Sequence, residues 1–148
     1  MKEYKLRTAT EDDYMLSFEI RKNALSQYVK QTWGWDEEWQ LKYHKEDFNT
    51  EILSIIEVAG EPAGTLEYYY DEHSMIISGI YIIDKFQNRG IGKDIIMKLH
   101  KEADTKGKQV RLQVLKVNTK AKKLYENLGY TLYNTTETHF QLVYNKIS

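Results

Sequence analysis

The stretch Gln87-Asn88-Arg89-Gly90-Ile91-Gly92 sets two glycines around one residue, next to an arginine. Glycine lets a main chain pass close to a ligand, and the first amides of a helix lack internal partners. Such a loop can therefore donate hydrogen bonds to phosphate oxygens. Arg89 adds positive charge at the same edge. The pattern is not the Gly-x-x-x-x-Gly-Lys-Ser/Thr phosphate loop, nor the dinucleotide Gly-x-Gly-x-x-Gly, because position 95 is Ile. By itself the glycine pair also fits an ordinary turn.

A phosphate loop works at the junction of a buried strand and a helix, and the flanking pattern offers both. Met75 to Ile83 is a near-continuous apolar run, as expected of a strand covered on both faces. After Gly90, the residues Ile91, Ile95, Ile96, Leu99 and Ala103 repeat at helical spacing until Gly107. Upstream, Tyr4 to Thr8 reads as a strand and Thr10 as the cap of a first helix carrying Tyr14, Phe18, Arg21, Leu25 and Tyr28 or Val29 on one stripe. A second helix begins at Asp36-Glu37-Glu38, with Trp35 or Asp36 near its cap and Trp39, Tyr43 and Phe48 spaced for one face. Ile52 to Ala59 and Ala63 to Tyr70 are strands around a turn at Gly60-Glu61-Pro62. Downstream come a strand at Val110 to Leu115, a helix from Asn118 to Leu128, and strands at Tyr130 to Tyr133 and Phe140 to Ile147. The order predicts an α/β (mixed α+β) fold in one domain spanning residues 1–148. Residues 52–83 should form an antiparallel meander, and residues 75–115 a right-handed parallel crossover.

A second motif joins the first. Gln87-Asn88-Arg89-Gly90-Ile91-Gly92 resembles the Q/R-x-x-G-x-G/A pyrophosphate motif of the GNAT N-acetyltransferase superfamily. Asn118-Thr119-Lys120-Ala121-Lys122-Lys123-Leu124-Tyr125-Glu126-Asn127-Leu128-Gly129-Tyr130 resembles that superfamily's N-x-x-A-x-x-L-Y-x-x-x-G-F segment. The resemblance covers the chain from about residue 50 onward, while the first 50 residues match only in their strand–helix–helix pattern. It implies a GNAT-like fold: a central mixed, mostly antiparallel sheet of six or seven strands with a splayed parallel pair, flanked by about four helices.

It also implies an activity and a set of roles. Acetyl-CoA would be the cosubstrate, and an acetyl group would pass to a primary amine by direct attack in a ternary complex. Backbone amides of Gln87, Asn88, Arg89, Gly90, Ile91 and Gly92 would hold the pyrophosphate. The main chain of Ile80 and Ile82 would pair with the pantetheine arm as an added strand at an edge left free by the splay. Asn118 would hydrogen-bond that arm, and Lys120, Lys122 or Lys123 would meet phosphate or simply form a solvated helix face. Tyr125 matches the position of the general acid that returns a proton to the CoA thiolate. A phenol, pKa about 10, suits a leaving thiol of about 8.5. Tyr125 would otherwise be a packing partner on its helix.

The general base is less well marked. Several relatives place a glutamate on the strand before the Asn motif, but Gln113 stands there, and an amide accepts no proton. Glu67 and His139 are the remaining candidates, beside a water chain with no dedicated base. Glu137 and Thr138 beside His139 also fit a hairpin turn. Trp33 and Trp35, with Trp39 and Tyr43, fall in the region that the resemblance makes the roof of the acceptor site, where Glu67 would also bind substrate. Aromatics there could surround a cationic amine or simply glue two helices to the sheet. His44, His73 and His100 read as surface residues without metal-ligand spacing, so no metal is expected.

Composition narrows the classes further. A chain of 148 residues with 41% hydrophobic content and one proline can bury a core without disulfides, and it has no cysteine. Thiol nucleophiles and Cys-based zinc sites are thereby excluded. The balance of 21 basic against 22 acidic residues argues against a nucleic-acid binder. No apolar run approaches a membrane span or a secretory leader, so the chain reads as cytoplasmic. Charge is nonetheless uneven: residues 1–88 hold 17 acids and 9 bases, residues 89–148 hold 5 acids and 12 bases. As two sides of one cleft, the basic half would suit a phosphate-bearing ligand and the acidic half, with Asp36, Glu37 and Glu38, a cationic acceptor, whether small molecule or protein. Ordinary solvated surfaces would look the same. Exposed strand edges leave room for a homodimer. A non-catalytic acyl-CoA sensor that kept the cofactor cleft is the competing reading, and Gln113 is the residue that supports it.

Overall fold

The computed structural model describes residues 3–145. Seven strands form one sheet in the order β1-β2-β3-β4-β5-β7-β6, namely β1 Lys5–Thr8, β2 Leu53–Val58, β3 Glu61–Tyr70, β4 Ser74–Ile82, β5 Gln109–Leu115, β6 Thr131–Thr135 and β7 His139–Tyr144. Four helices accompany them among the described residues: α1 Tyr14–Thr32, α2 Glu37–Asp47, α3 Ile91–Thr105 and α4 Thr119–Asn127. The β1–β2, β2–β3, β5–β7 and β6–β7 pairs are antiparallel. β4 and β5 are parallel, with Ser74–Ile76 in register against Gln109–Arg111. The expected mixed sheet and its parallel crossover are therefore present. The end of the last expected strand, Ile147, lies outside the described residues.

The chain divides into two compact units. One holds the described residues up to Glu67 together with Gly79–Gly92, and the other holds Tyr68–Ser78 and the described residues from Lys93 on. The first unit is built on Phe18, Ile20, Ile55, Ile56, Ala63, Leu66 and Phe86, all buried. Arg7 ties β1 to the start of α1 through two bonds to Asp13, 2.7 and 2.9 Å, and a third to Glu57, 3.0 Å. The Arg7 guanidinium holds the Asp13 carboxyl at about 2, and the Thr10 amide donates to the same carboxylate at 2.8 Å. The turn between β2 and β3 is Ala59-Gly60, both left-handed at φ 52° and 81°, one residue earlier than the Gly60-Glu61-Pro62 turn expected. Two such residues make the tight hairpin whose twist matches its strands. Pro62 then enters β3 opposite Glu57, at a register shift.

Gly64 on β3 shows how closely β4 passes. A Cβ there would lie 2.2 Å from the Tyr81 carbonyl oxygen and 3.2 Å from Ile82 Cα. Gly64→Ala is therefore expected to cost about 2 kcal/mol through overpacking against backbone. That corresponds to about 4–8 °C in the midpoint of thermal unfolding followed by circular dichroism. An unchanged midpoint would contradict the close approach.

The helix α2 corrects the expected face. Gln40 and His44 are its buried residues, whereas Trp39 and Tyr43 are 57% and 38% exposed. The spacing of four was right, but the helix is turned by one residue, because polar side chains can be buried once they are bonded. His44 Nε2 lies 2.9 Å from the Tyr14 carbonyl oxygen and 3.0 Å from Ser17 Oγ. A carbonyl only accepts, so Nε2 carries the proton. His44 is thus a core residue and not a surface one, and burial lowers its pKa.

A histidine whose pKa is lower folded than unfolded binds its proton more readily in the unfolded chain. Between the unfolded value, about 6.5, and the folded one, stability rises with pH and is lost as pH falls. His100 and His139, both lowered by burial, act in the same direction, while Asp13 acts only in the more acidic range below its ordinary value. The thermal midpoint is expected to fall between pH 7.5 and pH 5.5. His44→Gln, whose amide can still donate to Tyr14, should reduce that fall, and an identical pH response in the variant would contradict the assignment.

The second unit is built on Met75, Ile77, Ile95, Ile96, Leu99, Ala103, Val110, Leu112 and Leu142. His100 belongs to this core as well, contrary to the surface position expected. Its ring stacks on Tyr144 at 3.7 Å between centroids, and Nε2 lies 2.8 Å from the Tyr130 hydroxyl. His73, by contrast, is exposed as expected.

Candidate active site

In the first unit the glycine loop is held from below. A 3-10 turn at Asp84–Phe86 buries the Phe86 ring, and the Gln87 amide donates to the Asp84 carbonyl at 3.2 Å. The Gln87 side chain reaches back and donates to the Ile82 carbonyl at 2.8 Å, fixing the end of β4 to the loop. Asn88 and Gly90 both adopt left-handed backbone, φ 64° and 79°. Asparagine tolerates that region better than most residues, and glycine enters it freely. Left-handed residues placed between others turn successive N–H groups toward one concave side, the geometry of an anion nest. Arg89 lies with its guanidinium over the Phe86 ring at 5.1 Å. α3 starts directly after Gly90, and a Cβ on Gly92 would meet only Ile82 Cγ1 at 3.9 Å. Packing within the protein therefore does not require glycine at that position.

In the same unit lies Tyr81, a neighbour of Ile80 and Ile82 on β4. Its ring folds over Gly79, where a Cβ would be 2.9 Å from Tyr81 Cε2. Burial pushes the Tyr81 phenol up, and Arg21, Glu67, Tyr43 and Asp47 are the charged and phenolic groups that act on it. Glu67 sits on β3 opposite Leu53 and is half-buried. Trp33 closes α1 and is 61% exposed, and the Trp35 indole donates to Glu37 at 2.8 Å. Glu37 also binds Lys22 at 3.0 Å, and Asp36 caps α2 by accepting from the Trp39 amide at 3.1 Å. Two of the three acids expected to favour a cationic acceptor are thus engaged locally.

In the second unit Asn118 caps α4: its side-chain oxygen accepts from the Ala121 amide at 3.1 Å. Lys122 lies over the Phe140 ring at 4.8 Å and pairs with Glu126 at 3.2 Å. Tyr125 is 7% exposed, with its ring edge-on to Tyr130 at 5.4 Å. His139 is the first residue of β7, opposite Leu115 on β5, and follows the turn at 136–138. Its Nδ1 lies 2.8 Å from Thr138 Oγ1, its amide donates to Thr136 Oγ1 at 2.9 Å, and burial lowers its pKa. The hairpin reading of Glu137 and Thr138 and the strand reading of His139 are both realised. Gln113 is exposed and accepts from Gln141 at 3.3 Å.

The structure therefore places Ile80, Ile82 and Gln87 through Gly92 in one unit, which also holds Glu67, Arg21, Tyr43 and Asp47. It gathers Asn118, Lys122, Tyr125 and His139 in the other. Sequence reading missed Tyr81, Arg21 and Asp47 as site candidates. Arg21 did carry a signal, since it is a charge on a stripe whose spacing otherwise holds core residues. Among the described residues no group of three His, Asp or Glu could hold a metal ion, and no helix is long and apolar enough to cross a membrane.

A glycine loop between a strand and a helix, on a mixed sheet with one parallel pair, agrees with comparison to known proteins. A model of the acetyltransferase (GNAT) family matches residues 10–130, and the chain belongs to that family. Its fold is similar to that of a PaiA N-acetyltransferase from Thermoplasma acidophilum in complex with coenzyme A, with TM-score 0.78, 15% identity, and 98% of this chain and 100% of that one covered. It is also similar to an acetyltransferase from Thermus thermophilus, with TM-score 0.75, 18% identity and 96% of each chain covered. A third similar structure is the ribosomal-protein-S18-alanine N-acetyltransferase from Escherichia coli, with TM-score 0.73, 16% identity, and 98% and 96% covered. No curated protein matches the sequence significantly.

Proposed function

We propose that the chain acts as one catalytic domain that transfers an acetyl group from acetyl-CoA to a primary amine, by direct attack in a ternary complex. The observation that carries this reading is the loop Gln87–Gly92, with left-handed Asn88 and Gly90 opening into α3. Family membership supports it, as does the coenzyme A bound to the similar Thermoplasma protein. In this reading the backbone of Gln87 through Gly92 holds the pyrophosphate, Ile80 and Ile82 offer main-chain groups to the pantetheine arm, and Asn118 and Lys122 complete the cofactor contacts.

The amine nitrogen attacks the thioester carbonyl carbon, a C–N bond forms, and the C–S bond breaks. The Ile82 amide stabilises the developing oxyanion, Tyr125 gives its proton to the thiolate, and the proton that the nitrogen sheds as the amide forms restores the phenol. An ammonium of pKa about 10.4 must first lose a proton, which Glu67, His139 or a chain of waters accepts. A pKa lowered by burial keeps His139 in its neutral, proton-accepting form near pH 7. Trp33 and Trp35, with Glu67, face the acceptor, a small-molecule or protein amine.

The test is calorimetric titration with acetyl-CoA, with CoA as control, followed by thiol release with a panel of amines. A micromolar Kd, about −8 kcal/mol, together with thiol release is the expected result. Affinity weaker than about 1 mM in a folded sample would overturn the cofactor assignment. Tight binding with no thiol release from any amine would make the protein an acyl-CoA sensor.

A further inference from the structure

Arg21 is a half-buried cation on α1 that the reaction described above does not use. Its guanidinium lies over the Tyr43 ring at 4.8 Å, and Tyr43 is stacked on Trp39 at 5.5 Å with planes 6° apart. Trp39 and Arg21 thus both lie against the Tyr43 ring, and both aromatics are exposed. Among the described residues no carboxylate lies within salt-bridge distance of Arg21, a feature it shares with Lys5, Lys30, Lys42, Lys45 and Arg89 of the same unit, while Arg7, Lys22 and Lys85 are paired at 2.7–3.0 Å. A guanidinium stacked on an aromatic face keeps its N–H donors in the plane of the stack, where they suit the two oxygens of a carboxylate. Glu67 on β3 and Asp47 at the end of α2 act, like Arg21, on the Tyr81 phenol electrostatically.

We propose that Arg21 binds an anionic group of the acceptor, so that the acceptor is a small zwitterion, a free amino acid or a similar amine carrying a carboxylate a few ångströms from its nitrogen. The inference rests on the acetyl-transfer reading and deepens it. The carboxylate docks on the Arg21 fork, its hydrocarbon packs on Tyr43 and Trp39, and its ammonium faces Glu67. A peptide N-terminus lacks that carboxylate, because it is used in the next amide bond, and so meets Arg21 with only a neutral carbonyl.

Matched pairs that differ by one carboxylate test this: L-phenylalanine with 2-phenylethylamine, L-lysine with 1,5-diaminopentane, and L-methionine with 3-(methylthio)propylamine. The quantity read is the ratio of kcat/KM for the acid-bearing member to that for its partner, in the wild type and in Arg21→Gln. Dividing one ratio by the other cancels the different intrinsic basicity of the two amines. Loss of a charge-assisted, bidentate contact should lower the ratio about 10–100-fold in Arg21→Gln. Lys101→Gln, which removes an equal charge from the exposed side of α3, should leave the ratio as it is. The same pairs titrated into protein saturated with CoA give the ratio of Kd values without turnover. A ratio unmoved by Arg21→Gln, or binding of neither member, overturns the role of Arg21. Carboxylate-dependent binding without thiol release overturns acetyl transfer while leaving the Arg21 subsite in place.

Discussion

Replacing Tyr125 by phenylalanine is expected to lower kcat by about 10²–10⁴-fold, the usual worth of a positioned proton donor. The Kd for acetyl-CoA should stay within about threefold of wild type. Structure makes the substitution clean, since the Tyr125 ring is 7% exposed and lies edge-on to Tyr130 at 5.4 Å, a contact that phenylalanine preserves. Only the hydroxyl is lost, and stability should change by no more than about 1 kcal/mol, one hydrogen bond at most. A thermal scan run beside the kinetics separates the two roles. Turnover at the wild-type rate removes Tyr125 from the mechanism and leaves it a packing residue of α4. A fall in kcat with a matching fall in Tm would also count against a proton donor, because packing alone would then explain the loss.

Gly92→Asp should weaken acetyl-CoA by more than about 100-fold and leave the protein folded. The expectation separates binding from stability with unusual sharpness. A Cβ at position 92 meets only Ile82 Cγ1 at 3.9 Å, an ordinary contact, so the protein itself has room for a side chain. An acid in the first turn of α3 is moreover favoured by the helix dipole by about 0.3–1 kcal/mol. Tm should therefore hold or rise. Pyrophosphate bound at these amides would instead face a carboxylate a few ångströms away, where like charges repel by about 4 kcal/mol in a partly shielded site. Gly92→Ala is the companion variant: it should be at least as stable as wild type, since alanine is the better helix former by about 0.5–1 kcal/mol. Its smaller loss of affinity measures bulk without charge. Acetyl-CoA binding by Gly92→Asp at wild-type strength would remove the loop from the phosphate site.

The parts of this protein that could be read from the sequence are those that short-range physics decides. The run from Gln87 to Gly92 needs glycine and asparagine because φ 64° and 79° are costly for other residues, and that requirement is visible in the letters themselves. Asn118 announces α4 because a short acceptor side chain caps a free amide, and Asp36 announces α2 in the same way. The alternation of apolar strands and a period-3.6 helix from Met75 to Leu115 fixed β4, α3 and β5. Family membership follows from the same two segments.

What the sequence left open depends on which neighbour each residue meets. The spacing of α2 allowed two faces one residue apart, and tertiary packing chose Gln40 and His44 because the Tyr14 carbonyl and Ser17 hydroxyl stand ready to bond the imidazole. That choice turned Trp39 and Tyr43 outward, where Arg21 from α1 lies over the Tyr43 ring. His100 likewise looked polar and external until Tyr144 and Tyr130 enclosed it. Residues far apart in the chain, Arg21, Tyr43, Asp47 and Glu67, act on the Tyr81 phenol only because α1, α2, β3 and β4 belong to one folded unit. Local backbone preference thus determined the glycine loop and the family, while the surroundings of His44, His100 and Arg21 were decided by long-range packing, since burial is a property of neighbours that no single stretch of sequence contains.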